Sequence, residues 1–404
     1  MSAECKTQSK IEKILRSGQF AVTAECGPPR GADAEVMDES DDETVQIGRK
    51  LTIGKECYPC ILTTGDMLKT AKRKDFDPSA SAFFMPSGRG PCRFGQYHRL
   101  HRMVLDEQGF ENVPIYAPNQ DEKLYKELDI VGGKFSRLGW RAIVSTDLLQ
   151  KMLHSVRPYE EHAGETQKVY SEMLHELARG IESRNNGVFE VLEQAVKRFL
   201  AIPTQSEKKP IVGIVGEIYI RSNRFSNDNL IRKVEEFRGE AWLAPITEWI
   251  NYVNYMGKKR SARKKSLSNL LTMVLTDHIQ RKDEHRMEEI FAEYLRYGHE
   301  PSIRRVIHDA SPYIDESFEG EAILSVGKSI DFIRKGASGI INAMPFTCMP
   351  GTISNAVFKI IQSKYGVPVL NVAYDGQGLT NITTRLEAFM HQVKEHNRTS
   401  RGSG

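Results

Sequence analysis

Four of the six cysteines lie in short segments rich in glycine and proline, and each segment runs into a pattern typical of a helix. Cys57 and Cys60 lie in GKECYPCILTTGDMLK, Cys92 in GRGPCRFGQYHRLHRM and Cys348 in MPFTCMPGTISNAVFK. The N-terminus of a helix carries unpaired N–H groups and about half a positive charge, which favours thiolate, the form that binds metal. The same N–H groups can hydrogen-bond the sulfur atoms of an iron–sulfur cluster. The four cysteines are therefore predicted ligands of a metal centre.

The spacing of these cysteines restricts the kind of centre. A single C-x2-C pair with two distant partners differs from the compact ferredoxin run and from a zinc ribbon, which has two C-x2-C pairs close together. Ligands so widely separated favour a site between two domains. Small buried thiols, a zinc site and a redox pair formed by Cys57 and Cys60 remain the alternatives.

Histidines near the cysteines do not favour zinc. No histidine stands at ligand spacing within the three cysteine segments, and the nearest pair is His98 and His101. These two stand among Arg99 and Arg102, which indicates an exposed basic face of a helix rather than a pair of ligands.

Length and composition limit the protein class. The chain has 404 residues, of which 40% are hydrophobic and 27% charged, which suggests two or three domains with a real core. The net charge of +3 predicts no bulk attraction to nucleic acid. No apolar run is long enough to span a membrane and the N-terminus has no secretory pattern, so we expect a cytoplasmic protein without a disulfide framework.

The elements that must position the cysteines follow an α/β pattern. In the N-terminal half, strands are predicted over Ser81–Met85 and Val113–Ala117, and a helix over Gln96–Gln108. A helical pattern runs from Glu160 to Leu200 with a break at Asn185–Gly187.

The C-terminal half predicts a parallel sheet. Strands are expected over Ile211–Val215, Gly339–Ala343 and Pro368–Ala373. A helix over Ile353–Tyr365 between the last two makes a strand–helix–strand crossover, which returns the chain in the same direction. Further helices are expected from Asn227 to Phe237, within Lys258–Tyr297, over Glu321–Arg334 and over Arg385–Glu395.

Three polar residues after strands are candidate cofactor-binding residues. Glu217 follows the strand at Ile211–Val215, Asn223 comes shortly after it, and Asp375 follows the last strand. Loops at the carboxyl ends of parallel strands line the ligand crevice of an α/β sheet. The alternative is that these side chains only cap local backbone groups.

The sequence supports a phosphate-binding site less well than a metal centre. The basic run from Lys258 to Lys265 could bind the phosphates of coenzyme A or an acidic partner, although such a run is more often a solvated helix end. The chain has no phosphate-binding P-loop and no complete dinucleotide fingerprint, so no intrinsic ATP or NAD site is expected.

Several motifs together resemble a known family. ECYPC…TTGDMLK, GPCRFGQY, GIVGEIYIRSN, MPFTCMPG and YDGQGLTNITTRLEAF resemble the C-terminal module of proteins related to 2-hydroxyacyl-CoA dehydratase activases. That module is similar to the subunits of 2-hydroxyglutaryl-CoA dehydratase and to double-cubane-cluster proteins. The resemblance covers about residues 44–394.

The resemblance implies two flavodoxin-like (Rossmann-like) parallel-sheet domains with helical insertions and a [4Fe–4S] cluster in the cleft between them. Cys57, Cys92 and Cys348 match the three cluster ligands of the dehydratase-like proteins, and Cys60 is an additional thiol that could be a fourth. A double-cubane cluster would need six cysteine ligands, which disfavours it here. The resemblance implies an ATP-hydrolysing activase as partner of this protein. Whether this protein binds an acyl-CoA substrate and whether it forms a homodimer are left open.

The N-terminus resembles a different family. Residues 10–36 are similar to the start of methylenetetrahydrofolate reductase, with Glu25 at the position of an acidic residue of that family. So short a segment cannot form a (β/α)8 barrel, which takes about 250 residues. No folate or flavin chemistry is therefore expected, and Cys5 and Cys26 are not expected ligands.

The expected domains are residues 1–43 as an appendage and linker, 44–205 and 206–396 as α/β domains, and 397–404 as a disordered tail.

The expected function is an iron–sulfur electron-transfer or reductase module of anaerobic metabolism, reduced by the activase. With three cysteine ligands the cluster would have an open iron site for dehydratase-type catalysis, whereas four favour electron transfer. The alternative is a structural or regulatory metal-binding module without turnover.

Overall fold

The computed structural model describes residues 37, 39–88, 90, 92–120, 135–182, 187–295, 298–377 and 381–402. The segment that contains Cys5, Glu25 and Cys26 lies outside the described residues. The chain divides into two compact units, one formed by the described residues up to Gly139 with Met256–Leu270 and the other by the remainder. Residues 140–205, which the expected boundaries assign to the first domain, belong to the second unit.

The first unit is helical around a small parallel sheet. Strand β1 is Phe83–Phe84 and strand β2 is Ile115–Tyr116, with Phe83 paired to Ile115 in parallel. Both strands lie inside the predicted ranges but are only two residues long. The helices are α1 at Asp42–Leu51, α2 at Tyr58–Ala71 and α3 at Tyr97–Glu107.

Helix α2 is held closely against α1. A Cβ atom at Gly48 of α1 would lie 2.0 Å from the carbonyl oxygen of Ile61, and one at Gly65 of α2 would lie 2.0 Å from that of Thr44. Glycine at these two positions therefore lets the helix backbones touch. Asp66 of α2 accepts hydrogen bonds from the hydroxyls of Ser40 (2.7 Å) and Thr44 (2.9 Å), which fixes the same contact.

The second unit contains a four-stranded parallel sheet in the order β4-β3-β5-β6. The predicted parallel pairing of its strands is confirmed: Ile214 of β3 pairs with Ile341 of β5, which pairs with Leu370 of β6. The two central strands, β3 and β5, are buried along almost their whole length, as is usual where helices cover both faces of a parallel sheet. Their bounds are β3 Ile211–Gly216, β4 Glu240–Leu243, β5 Gly339–Pro345 and β6 Val369–Tyr374.

The remaining helices agree in part with the predicted ones. The helix at Glu321–Arg334 has the predicted bounds, whereas the expected helical stretch Lys258–Tyr297 is two helices separated at Lys264–Ser266. Gly187, which the sequence places in a break of the helical pattern, is the first residue of a helix. The bounds are α4 Phe135–Val156, α5 Glu165–Glu182, α6 Gly187–Leu200, α7 Ile218–Ser222, α8 Leu230–Glu236, α9 Thr247–Arg263, α10 Leu267–Phe291, α11 Ile303–Ala310, α12 Glu321–Arg334, α13 Met349–Tyr365 and α14 Ile382–Gly402.

The last helix, α14, is longer than the sequence indicates and reaches into the expected disordered tail. Its N-terminal part packs on the sheet through buried side chains, among them Leu386, Phe389 and Val393. No helix within the described ranges is both long and apolar enough to cross a membrane.

Candidate functional site

Cys57 and Cys60 are positioned by the first turn of α2. Cys57 is the N-cap residue, with extended backbone angles, and its carbonyl accepts hydrogen bonds from the N–H groups of Cys60 (2.9 Å) and Ile61 (3.2 Å). Pro59 stands between the two cysteines, where the first turn of a helix tolerates a residue without an N–H. Both thiols therefore lie at the positive end of α2, as predicted.

Cys92 is held beside the same turn. It is the N-cap residue of a short 3-10 helix, Arg93–Gln96, that leads into α3. The guanidinium of Arg93 donates a hydrogen bond to the carbonyl of Lys55 (2.5 Å), two residues before Cys57. This hydrogen bond joins the Cys92 segment to the segment that precedes α2.

Apolar side chains surround the C-x2-C pair. Cys57 is 6% exposed and Cys60 is 2% exposed, and both belong to one buried cluster, whereas Cys92 is half-buried. Thiols are the ligand type that an iron–sulfur cluster takes, but the side chains of Cys57 and Cys92 do not cap the helices that they precede, so a cluster at these residues stays a prediction. The pair packs against Met67, Ala71, Phe83, Met85, Phe94 and Tyr97 among others.

The electrostatics of Cys60 differ from the expectation. Burial raises the pKa of the Cys60 thiol to about 12, and the nearby charges of Cys57 and Glu56 act in the same direction. The helix N-terminus therefore does not make Cys60 a thiolate in the metal-free chain. A metal ion at this sulfur would have to displace the proton, as metals bound to cysteine do.

The prediction that His98 and His101 lie on an exposed basic face of a helix is wrong for His101. Its side chain on α3 is 1% exposed, and its Nε2 atom lies 3.2 Å from the hydroxyl of Thr63 on α2. Burial lowers the pKa of His101 to about 3, partly offset by the carbonyl of Cys60. His101 is thus a neutral, buried residue against the turn that carries Cys60, while His98 is only partly buried.

Cys348 lies in the second unit, at the carboxyl end of β5. It is the N-cap residue of α13, and its sulfur accepts a hydrogen bond from the N–H of Gly351 (3.4 Å). The order of the sheet makes the gap between β3 and β5 its topological switch point, where α/β proteins bind ligands. Cys348 therefore occupies the position in this unit where a ligand is expected.

Glu217 lies beside the same switch point. Its N–H donates to the carbonyl of Ala343 in β5 (2.9 Å), and its carboxylate accepts from the N–H groups of Tyr219 (3.1 Å) and Ile220 (2.8 Å). The preceding Gly216 has φ +118°, and a Cβ there would lie 1.9 Å from the Ala343 oxygen, so only glycine allows this close approach.

The other two candidate cofactor-binding residues also hydrogen-bond local backbone. Asn223 accepts from the N–H of Ser226 (2.8 Å), and Asp375 accepts from the N–H of Gln377 (2.8 Å). These contacts are the local capping that the sequence left open as the alternative, and a role in ligand binding stays a prediction.

The structure brings Cys57, Cys60 and Cys92 into one unit and places Cys348 in the other. The distance between Cys348 and the other three thiols stays a prediction. Among the described residues, no cysteine belongs to a group of three or more potential ligands whose ligand atoms all lie within 4.8 Å. That spacing suits a single ion, whereas the sulfur ligands of one cubane lie up to about 7 Å apart.

The sequence analysis missed a pocket lined by three glutamates in the second unit. Glu248 and Asn251 of α9, Glu284 of α10 and Glu300 line it, with Thr247 and three apolar residues. Neither carboxylate oxygen of Glu248 has a hydrogen-bond partner in the described part of the chain, although the residue is only 7% exposed. The sequence offered no signal, because these glutamates are far apart in the chain and stand among ordinary charged helix residues.

Two carboxylates of the pocket differ in charge because only one of them is paired with lysine. Burial alone would raise the pKa of Glu300, but Lys151 and Lys328 hold it well below its usual range. Burial raises the pKa of Glu248 to about 7, and Lys328 and Arg221 only partly oppose this. Glu248 can therefore keep or release a proton near neutral pH, which is what a general acid or a cation ligand requires.

Replacing Glu248 with glutamine should remove a pH-dependent loss of stability. Because the folded pKa of Glu248 is raised, the folded chain binds an extra proton between about pH 4.5 and 7, and stability falls as pH rises through that window. We expect Glu248→Gln to be more stable than the parent by about 3 kcal/mol at pH 8 and equal to it near pH 4. The charged groups around Glu248 are Lys328, Arg221, Glu300 and Asp331.

Urea unfolding of the full chain at both pH values measures this difference. Glu387→Gln, which changes an exposed glutamate of α14, is the matched control and should show no pH-dependent difference. Equal stabilities of Glu248→Gln and the parent at pH 8 would contradict this prediction, because they would show that ionisation of Glu248 does not lower the free energy of unfolding.

Comparison of the chain with known proteins does not assign it to a family. No family model matches it, and no curated protein matches it.

Proposed function

We propose that this protein is an iron–sulfur electron-transfer or reductase module related to the 2-hydroxyacyl-CoA dehydratases. The observation that carries the proposal is the common position of three cysteines: Cys57, Cys92 and Cys348 are each the N-cap residue of a helix. Three separate loops thus place a cysteine at a helix N-terminus, whose positive end would favour an anionic cluster, and the sulfur of Cys348 accepts a hydrogen bond from the N–H of Gly351.

The proposed ligands in the first unit are Cys57, Cys92 and, if a fourth thiolate is used, Cys60. A bound [4Fe–4S] cluster supplies one-electron chemistry at low potential. The residues of this chain would provide thiolate charge, N–H donors to the sulfur atoms and an apolar wall. Met85, Phe94 and Tyr97, which pack with Cys57 and Cys60, would exclude water from that side and lower the local dielectric constant.

The sheet of the second unit supports the finer proposal of a flavodoxin-like domain. Numbered within this unit, its strand order is 2-1-3-4, which agrees with the flavodoxin-like order 2-1-3-4-5 over four strands. Cys348 and Glu217 follow the two strands at the switch point of that order. We propose the same fold for the first unit from the sequence resemblance, although its sheet has two short strands in the described ranges.

The proposed electron donor is an ATP-hydrolysing activase, the partner that the family resemblance implies. An acyl-CoA is the proposed substrate if only three cysteines bind the cluster, because one iron then stays open to a ligand from the substrate. Full ligation by four cysteines would instead support electron transfer, or a structural metal-binding module without turnover.

Anaerobic purification tests the proposal. We expect about four iron and four acid-labile sulfide per chain, with an electron paramagnetic resonance signal that appears on reduction. Aerobically purified chain serves as the comparison, since exposed clusters are lost in air. A chain that binds zinc but takes up no sulfide after anaerobic reconstitution would contradict the proposal and favour a structural metal site.

A further inference from the structure

Two histidines and a glutamate converge at the C-terminal end of α10. His285 and Glu288 stand three residues apart on one face of this helix, and His299 lies in the segment that follows it. Each of the three can offer a ligand atom such that all three atoms lie within 4.8 Å of one another. In the described part of the chain this is the one group of three or more His, Cys, Asp or Glu side chains with that property.

The distances suit a small tetrahedral metal ion. Nδ1 of His299 lies 3.1 Å from Oε2 of Glu288, and the imidazole rings of His285 and His299 are 5.2 Å apart between centroids. Ligand atoms about 2.0–2.1 Å from a tetrahedral zinc ion are roughly 3.4 Å from each other. A zinc ion would therefore need only small movements of side chains that are already adjacent.

Neighbouring groups hold the three side chains in place. The N–H of Glu300 donates to Oε1 of Glu288 (3.4 Å), which directs Oε2 of that carboxylate to His299. Nε2 of His285 lies 3.2 Å from Oε1 of Glu289, which places a second carboxylate beside this imidazole. Supporting carboxylates and backbone groups of this kind are typical of metal-binding histidines.

We propose that His285, Glu288 and His299 bind one Zn²⁺ ion. Two imidazoles with one carboxylate favour zinc over Mg²⁺ or Ca²⁺, which prefer oxygen ligands alone. The side chains of His285 and His299 are 64% and 45% exposed, so the ion would reach the site from solvent. Three protein ligands leave a fourth position for water or for an external ligand.

Such an ion would fasten α10 to the chain segment after it. His299 stands next to Glu300, which lines the glutamate pocket, and His285 stands next to Glu284 in the same pocket. Zinc would therefore restrain two walls of that pocket. The site contains none of the cysteines and does not depend on the proposed iron–sulfur function.

Zinc titration of the full chain tests the site. We expect the parent to bind one Zn²⁺ whose X-ray absorption spectrum shows only nitrogen and oxygen neighbours at about 2.0–2.1 Å, and any zinc held by cysteines would add sulfur at about 2.3 Å. His299→Ala should lose this ion, with an affinity at least 100-fold lower, and His285→Asn should behave alike. Glu289→Ala, which removes a supporting contact, should weaken binding by about 10- to 100-fold.

The matched control is His278→Ala. His278 is an exposed histidine of α10 two turns before His285, and it is not part of the group, so its replacement should leave zinc affinity unchanged. Circular dichroism checks that each variant is folded. Zinc bound solely through sulfur, or affinity that is the same in parent, His299→Ala and His285→Asn, would overturn the proposal.

Discussion

Replacing Cys57 with serine is expected to abolish iron binding by the anaerobically purified chain. A serine hydroxyl does not ionise near neutral pH and binds iron poorly, so each essential thiolate lost should reduce iron from about four atoms per chain to nearly none. Cys92→Ser and Cys348→Ser should have the same effect, because the family resemblance matches these two residues to the other cluster ligands. Iron, sulfide and the resonance signal of the reduced protein are measured on each variant.

Cys60→Ser is the matched control for this series. Cys60 is on the same helix turn and is buried like Cys57, but the family resemblance assigns the ligands to the other three cysteines. We expect Cys60→Ser to retain most of its iron. Loss of iron in Cys60→Ser would show ligation by four thiolates and would remove the open iron site that dehydratase-type catalysis needs. Retention of iron in Cys348→Ser would show that the first unit holds the cluster without the second.

Replacing Lys328 with methionine should destabilise the second unit by about 3–5 kcal/mol, the usual cost of leaving a buried charge without its partner. Lys328 of α12 is 1% exposed and pairs with Glu300 and with Asp331, the latter at 3.1 Å. Burial would lower the pKa of Lys328, yet these carboxylates raise it, so the residue is charged. Without it, Glu300 keeps only Lys151 as an ion-pair partner in the described residues.

Lys335→Met is the control for this effect. Lys335 pairs with the same Asp331 at 3.3 Å, but its side chain is 25% exposed, and solvent screens the interaction. Its replacement should therefore change the free energy of unfolding by less than about 1 kcal/mol. Urea unfolding of both variants at pH 7 separates the two cases. Equal stability of Lys328→Met and the parent would show that the buried ion pairs contribute nothing net to folding.

The sequence predicted the sheet of the second unit well because its central strands are buried on both faces. Ile211–Gly216 is an uninterrupted apolar run, Gly339–Pro345 is interrupted only by Asn342, and apolar runs of this length bounded by turn residues predict buried strands. The edge strand Glu240–Leu243 was missed because it is short and begins with a charged residue. Tyr159 and Trp242 donate hydrogen bonds to the carboxylate of Glu240 (2.6 and 2.9 Å), which allows this charged residue to be fully buried.

The sequence could predict site residues only where residues adjacent in the chain identify their position. Cysteine, proline and glycine next to a helical pattern identify the N-cap positions of Cys57, Cys92 and Cys348. The burial of His101 was not predictable, because its neighbours Arg99 and Arg102 indicate solvent and only the packing of α3 on α2 decides the matter. The Glu248 pocket and the His285–Glu288–His299 group depend on contacts between elements that periodicity does not describe.

The order of the strands also determines when the second unit can fold. Strands β3 and β5 are neighbours in the sheet, although α7, α8, β4 and α9 to α12 lie between them in the chain. Pairings so distant in sequence form late, because the long intervening loop must first be closed. On the ribosome, β3 therefore emerges with one edge that has no partner until β5 has been synthesised, and such an edge is where nascent chains associate wrongly.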